Sequence, residues 1–273
     1  MTRYKCALTI AGSDSVGGAG IQADIKTMSA LGVYAASAIT AITVQNTCGV
    51  YGIQAVSPDI VAGQIRAVMD DISPAAVKIG MVNDAATISA IAGALAGYSG
   101  VAIVVDPVMV STSGSRLMQE DALLSFCNEL LPLATLLTPN VPEAEILART
   151  TIENVDDMDS AARIICDMAQ CDVLIKGGHL DGTTKTDILY SNGCRTASFA
   201  TDTVCTRNTH GTGCTLSSAI TAHLALGYDM ATAIRMAKEY LTGALEAGKD
   251  VQIGAGYGPV DHFFCPKCLV KEA

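Results

Sequence analysis

The chain has 273 residues, half of them apolar but only 4% aromatic and none Trp. Its core must therefore be built from Ala, Val, Ile, Leu and Met, which suits stacked helices and buried parallel strands. Lys and Arg number 17 against 27 Asp and Glu, a net charge of −10, and this balance excludes broad nucleic-acid binding, which needs a basic face.

Ten cysteines over this length are too sparse for a disulfide scaffold. Cys6, Cys166, Cys171 and Cys205 sit in apolar runs, where free Cys acts as a small hydrophobe, so a reducing cytoplasm is the expected setting. Arg3 and Lys5 ahead of residues 6–11 imitate a signal peptide. That apolar stretch is too short, however, and Ser13-Asp14-Ser15 interrupts it. No apolar run is long enough to span a bilayer, so no membrane association is expected.

In chain order, residues 6–11, 38–44, 77–82, 101–105, 135–138 and 173–175 read as strands, several too uniformly apolar for a one-sided sheet. Helical periods lie between them at 21–31, 59–69, 85–95, 122–131 and 158–169. In the last, Met158, Ala161, Ala162, Ile165 and Met168 fall on one face. A small-residue helix follows at 215–226. The final helix carries Met230, Ile234, Ala237, Leu241 and Leu245, with Arg235, Lys238 and Glu239 placed opposite. Strand–helix–strand repetition predicts right-handed crossovers and a mostly parallel sheet covered on both faces. Residues 52–58 and 191–206 read as strand-and-turn excursions. No linker, charge block or repeat divides the chain, so residues 1–273 form one three-layer α/β domain.

In such a sheet ligands bind beyond the carboxyl ends of the strands. Asp14, Gln45-Asn46, Asp106-Pro107, Pro139-Asn140 and Lys176-Gly177-Gly178-His179 all follow strands, and therefore share one edge. The stretch Asn208-Thr209-His210-Gly211-Thr212-Gly213-Cys214 runs into the small-residue helix. Glycines at a helix mouth let N–H groups converge, and the helix N-terminus adds partial positive charge, which makes an anion cradle.

Residues 12–20 are glycine-rich but lack the Gly-Lys-Ser/Thr ending of a P-loop. Gly18-x-Gly20-x-x-Ala23 fits a dinucleotide fingerprint, yet beyond Asp24 no acid follows until Asp59 to hold a ribose. Asp24 is either a favourable helix N-terminal acid or a functional group. Asp106 is either a turn initiator or a site carboxylate. Asn140 and Glu143 suit a helix cap, and equally a Mg²⁺ held through water beside phosphates. Lys176, leaving a buried strand, calls for an anion because buried charge must be paired. His179 and His210 are either structural or hydrogen-bonding, and without a third ligand they make a poor zinc site. A free thiol such as Cys214 is only a few per cent thiolate at pH 7. Half-ionising it takes about 2 kcal/mol, of which a helix N-terminus supplies roughly 0.3–1. Cys265-Pro266-Lys267-Cys268 is a lone C-x-x-C and reads as incidental.

Together these stretches resemble the ribokinase-like superfamily, and within it the hydroxymethylpyrimidine/phosphomethylpyrimidine kinases of thiamin biosynthesis. The residues carrying the resemblance run from Gly12-Ser13-Asp14 through Gly17-Gly18-Ala19-Gly20, Val44-Gln45-Asn46, Lys78-Ile79-Gly80-Met81, Asp106-Pro107-Val108-Met109, Asn140 to Glu143 and Lys176-Gly177-Gly178-His179 to the cradle and Gly258-Pro259-Val260-Asp261. The resemblance implies a ribokinase-like three-layer fold, ATP and Mg²⁺ as cofactors, and usually a homodimer. It implies phosphorylation of a pyrimidine hydroxymethyl group and then of the resulting phosphate.

For the pyrimidine it implies Gln45, Asp24, Met81 and Val108; an amide both donates and accepts, which matches a ring nitrogen beside an exocyclic amine. For ATP and its phosphates it implies Asp106, Asn140, Lys176, Gly177, Thr209 and His210, with Glu143 and Asn140 holding Mg²⁺ through water. For catalysis it implies Cys214 as base, with Gly211, Thr212, Gly213 and Lys176. Thr112 stands where the family often has a Lys, removing a cation that could meet phosphate. Vitamin B6 kinases of the same branch are the nearest alternative. A silent pyrimidine sensor and a zinc module at Cys265 and Cys268 are alternatives of other classes.

Overall fold

The computed structural model describes residues 2–109, 118, 122–180 and 182–272; the Thr112 substitution lies outside them. In chain order the elements are β1 (Arg3–Tyr4), β2 (Cys6–Ser13), α1 (Gly20–Ala30), β3 (Tyr34–Asn46), β4 (Gly49–Ala55), α2 (Pro58–Asp71), β5 (Ala76–Ile79), α3 (Ala85–Leu95), β6 (Ala102–Val105) and α4 (Ala122–Ser125). A π turn (Phe126–Leu130) and a 3-10 turn (Leu131–Leu133) prolong α4. After them come β7 (Leu136–Leu137), α5 (Val141–Ala148), α6 (Val155–Ala169), β8 (Asp172–Ile175), β9 (Thr184–Ser191), β10 (Cys194–Asp202), α7 (Thr212–Ala225), α8 (Met230–Gly248) and β11 (Lys271–Glu272).

Nine strands form one sheet in the order β10-β9-β8-β7-β6-β5-β2-β3-β4. The run from β3 to β8 is parallel. The β3–β4, β8–β9 and β9–β10 pairs are antiparallel. The two expected excursions are thus hairpins that extend the sheet at both edges. β1 and β11 make a separate two-stranded ladder.

Successive strand residues point to opposite faces, and the two cores divide accordingly. Leu8, Ile10, Val77, Ile79, Val105, Val173 and Ile175 pack with the residues of α2, α3 and α6. Ala7, Ala76, Val104, Leu136 and Leu174 pack under α7 and α8. Both faces of the central strands are buried, as their uniform apolarity requires.

Two faces differ from expectation. Met168 is 40% exposed, and Cys166 with Ala169 completes the buried side of α6 instead. Lys238 is buried and pairs with Asp187 Oδ2 at 2.6 Å. The spacing of Ile234, Lys238, Leu241 and Leu245 is one helical row, so the lysine lies beside the apolar stripe rather than across from it.

Candidate active site

Helix α7 opens on Gly211, whose φ of 79° is left-handed, and no side chain caps it. Asp84, Asn154 and Asp229 cap α3, α6 and α8, and Asn140 and Glu143 form a complete capping box on α5, whereas α1 and α2, like α7, have no side-chain cap. An uncapped helix N-terminus of this kind is able to receive an anion. A Cβ at Gly211 would lie 1.8 Å from the Gly18 carbonyl oxygen, so the two glycine loops touch backbone to backbone.

Asp14 organises the first of these loops. Its carboxylate accepts from the N–H groups of Val16, Gly18 and Ala19 at 2.8–3.0 Å. His210 Nε2 lies 2.8 Å from Asp14 Oδ2 and ties the two loops together. Burial alone would raise the Asp14 carboxyl, but His210 and the three amides hold it below its ordinary range. The sequence marked Asp14 only as a strand end.

Beneath the cradle, Lys176 Nζ meets Asp106 Oδ1 at 2.7 Å. Asp106 Oδ2 accepts from Ser217 of α7 at 3.3 Å. Burial pushes the Asp106 carboxyl up, yet Lys176 and Lys78 more than offset this and leave it low. Burial also opposes the Lys176 charge, which Asp106 and Glu143 hold above its usual range. Asn140 Oδ1 accepts from the Glu143 N–H and Glu143 Oε2 from the Asn140 N–H, at 2.9 and 2.8 Å. The capping reading is therefore realised. Glu143 is nonetheless shifted: burial first, and the Asp106 charge, push it up to about 7 against the pull of Lys176.

These groups line one cavity of about 730 Å³. Gln45, Thr43, Met81 and Val108 line it, and Met81 and Val108 pack with Ala41. Gln45 Oε1 accepts from Thr43 Oγ1 at 3.3 Å. Thr209, His210 and residues 211–214 also line it, with Lys176, Asp106, Asn140, Glu143 and His179. Burial and the nearby Lys176 and Lys185 charges lower His179.

A further wall was missed in the sequence: Thr201, Thr203 and Val204 from the end of β10, and Leu241, Thr242 and Leu245 from α8. Leu241 and Leu245 sit in an ordinary apolar period, and periodicity alone does not separate a cavity wall from a core.

Two site expectations need correction. Asp24 is fully buried and does not line the cavity; it bonds Lys78, Thr9 and Ser218 instead of facing a ligand. Gly177 does not line the cavity either. Its N–H donates to Asp187 Oδ1 at 2.9 Å, and a Cβ there would meet the Thr186 carbonyl oxygen at 1.9 Å. Its glycine serves this packing, and neighbouring Gly178 reaches the cavity. Cys214, by contrast, lines the cavity as expected, with its thiol pushed up to about 11. Burial is the largest cause; Asp24 and Asp106 add to it, while Lys78 and the Gly20 N–H oppose it.

The family model described as phosphomethylpyrimidine kinase matches residues 14–261. The chain belongs to this family. It is 50% identical over 258 residues to the hydroxymethylpyrimidine/phosphomethylpyrimidine kinase of Rhizobium meliloti, covering 94% of this chain and 96% of that one. The corresponding kinase of Bacillus subtilis is 42% identical over 264 residues, with 96% of each chain covered. Among solved structures, the phosphomethylpyrimidine kinase of Clostridium difficile matches with a TM-score of 0.78 at 47% identity, over 88% of this chain and 99% of that one. The pyridoxal kinase of Staphylococcus aureus in complex with ADP matches with a TM-score of 0.87 at 34% identity, over 96% and 94%. The fold is the ribokinase-like three-layer sandwich, and this phosphomethylpyrimidine kinase family member is an ATP-using phosphotransferase of thiamin biosynthesis.

Proposed function

We propose that the whole chain acts as one ribokinase-like domain, in which Gln45, Met81 and Val108 hold the pyrimidine ring with its hydroxymethyl group directed at the cradle. The observation that carries this reading is convergence: the amide, the apolar floor, Lys176 and the uncapped mouth of α7 share one cavity. The wall of Val204, Leu241 and Leu245 offers the apolar surface that a purine base needs.

Phosphoryl transfer passes through a loose transition state, so catalysis is mainly positioning and charge stabilisation. The residue 211–214 amides and Lys176 neutralise the γ-phosphoryl in flight. In the first step the substrate oxygen bonds phosphorus as the bond to ADP breaks, and the hydroxymethyl proton passes to Cys214 as thiolate. At a pKa of about 11 only roughly one thiol in ten thousand is ionised at pH 7. The first step therefore gains as pH rises. In the second step the nucleophile is a phosphate that is already ionised.

Among the described residues no cluster of three or more His, Cys, Asp or Glu side chains is placed to bind a metal by itself. The donors that are present suit Mg²⁺ shared with phosphates. Glu143 and Asn140 offer hard oxygen ligands in the cavity, and a cation there would stabilise the Glu143 carboxylate that burial and, to a lesser degree, Asp106 disfavour. When bound, Mg²⁺ neutralises phosphate charge.

A homodimer fits the β3–β4 hairpin, where Ile42, Val44, Tyr51 and Ile53 are 41–65% exposed; Val44→Lys should yield monomers in light scattering. A cytoplasmic setting fits the free cysteines, and no described helix is long and apolar enough to cross a membrane.

Turnover on hydroxymethylpyrimidine and on pyridoxal at equal concentration tests the substrate. The pyrimidine should be preferred, and a pyridoxal preference would transfer the chain to the vitamin B6 reading.

A further inference from the structure

Under the cradle lies a second lysine–aspartate pair that does not line the cavity. Lys78 Nζ bonds both Asp24 oxygens, at 2.9 and 3.1 Å, and both side chains are fully buried. Asp24 also accepts from Thr9 Oγ1 at 2.6 Å and Ser218 Oγ at 2.5 Å. Ser218 lies one helical turn beyond Cys214 on α7, and Asp24 lies one turn beyond Gly20 on α1. Helices α1 and α7 pack against each other here, and the Gly20 N–H favours the Cys214 thiolate. Thus Gly20 and Asp24 face Cys214 and Ser218, turn against turn. Gly80 leaves the room this needs, since a Cβ there would sit 2.6 Å from Lys78 Nζ.

Replacing a buried ion pair by neutral groups is often neutral or stabilising. This one also stands one turn from the proposed proton acceptor. We propose that Lys78 and Asp24 are positioning residues that hold Cys214 against α1 and govern how readily its sulfur gives up and takes up a proton. This rests on the reading of Cys214 as base. The charged groups around the thiol are Lys78 from β5, Asp24 from α1, Asp106 after β6 and Lys176 after β8. Of these Lys78 is the principal charge favouring thiolate, and Asp24 and Asp106 oppose it.

The test is the pH dependence of Cys214 alkylation by iodoacetamide, read by mass spectrometry of the Cys214 peptide in the full chain. Lys78→Met should slow alkylation at pH 8 by about tenfold or more, and Asp24→Asn should speed it, since one opposite charge moves a pKa by roughly 1–3 units. A packing role would shift both variants in the same direction or neither. Either of those results in folded protein overturns the proposal.

Should the single variants not fold, Lys78→Met/Asp24→Asn keeps the volumes and cancels both charges, with the amide oxygen accepting from one of the Thr9 and Ser218 hydroxyls and the amide NH₂ donating to the other. It should alkylate more slowly than wild type and lose first-step kcat at little change in pyrimidine KM. Wild-type alkylation and kcat in that variant would overturn the proposal. Alkylation needs no turnover, so it separates failure here from failure of the base reading, which Cys214→Ala kinetics decides.

Discussion

Ser217 and Ser218, adjacent on α7, bond different carboxylates: Ser217 reaches Asp106 at 3.3 Å and Ser218 reaches Asp24 at 2.5 Å. Each aspartate is paired with its own lysine, Lys176 at 2.7 Å and Lys78 at 2.9 Å. The first turns of α7 are therefore pinned from below by two ion pairs, while its N-terminus opens on the cavity. Of the two pairs under α7, Lys176–Asp106 borders the cavity and Lys78–Asp24 is sealed behind it, while the Lys238–Asp187 pair lines the cavity from α8 and β9.

Lys176→Met removes the cation of the ligand-facing pair and leaves Asp106 buried without its partner. Loss of one electrostatic contact to a transition state typically costs 10²–10³ in rate, so kcat/KM should fall about 10²-fold or more. Stability should fall by about 3 kcal/mol, the usual cost of breaking a buried pair. Steady-state kinetics and thermal melts check both.

Glu143 gives a pH prediction. Its folded pKa of about 7 lies above the ordinary 4.5, so the folded state holds a proton that the unfolded state releases. Its contribution to stability is full below about pH 4.5 and is lost as pH rises through 7, an upper bound of about 3 kcal/mol. Glu143→Gln keeps a capping-box residue and removes that titration. Its Tm should exceed wild type at pH 8 and approach it at pH 4.5, with activity reduced at both. A variant less stable at pH 8 would contradict the shift.

The two cradle glycines should separate. Gly211→Ala forces a left-handed φ and a clash with Gly18, so it should destabilise by more than about 1 kcal/mol. At Gly213 a Cβ meets Lys176 Nζ at 3.4 Å and Asp106 Oδ2 at 3.6 Å, ordinary contact distances. Gly213→Val should therefore fold, fill the anion position and abolish turnover while pyrimidine binding persists. Calorimetric titration with the pyrimidine, beside an ATPase assay, checks this.

Much of this was legible in the sequence. Uniform apolar runs marked the parallel strands, because a sheet covered twice has no polar face. The strand-end residues Gln45, Asp106, Asn140 and Lys176 were legible because the topology gathers them at one edge, and all four line the cavity. Asp24 was not legible. Its partners Thr9, Lys78 and Ser218 come from β2, β5 and α7, and no local signal distinguishes a carboxylate facing a ligand from one sealed against a lysine. Lys238 failed similarly, since a charged side chain is assigned to solvent until its buried partner Asp187 is seen. The Cys214 shift depends on burial and on Asp24 and Asp106, all of them tertiary.

Cys214→Ala should lower the first phosphorylation about 10²-fold, within the usual range for a general base. It should affect the second much less. With the wild-type thiol near 11, the first-step rate should climb with pH and show no plateau below about pH 10; the variant's rate should be flatter. Equal losses in both steps would remove the proton-acceptor role.

Sequential phosphoryl transfer at one cradle should be visible in the order of the products. A time course with ATP, Mg²⁺ and hydroxymethylpyrimidine, resolving products by chromatography, tests it most directly. ATP consumption should require the pyrimidine, with monophosphate rising first and diphosphate following at its expense. Pyrimidine that stays unphosphorylated, or ATP hydrolysis indifferent to it, would contradict the account.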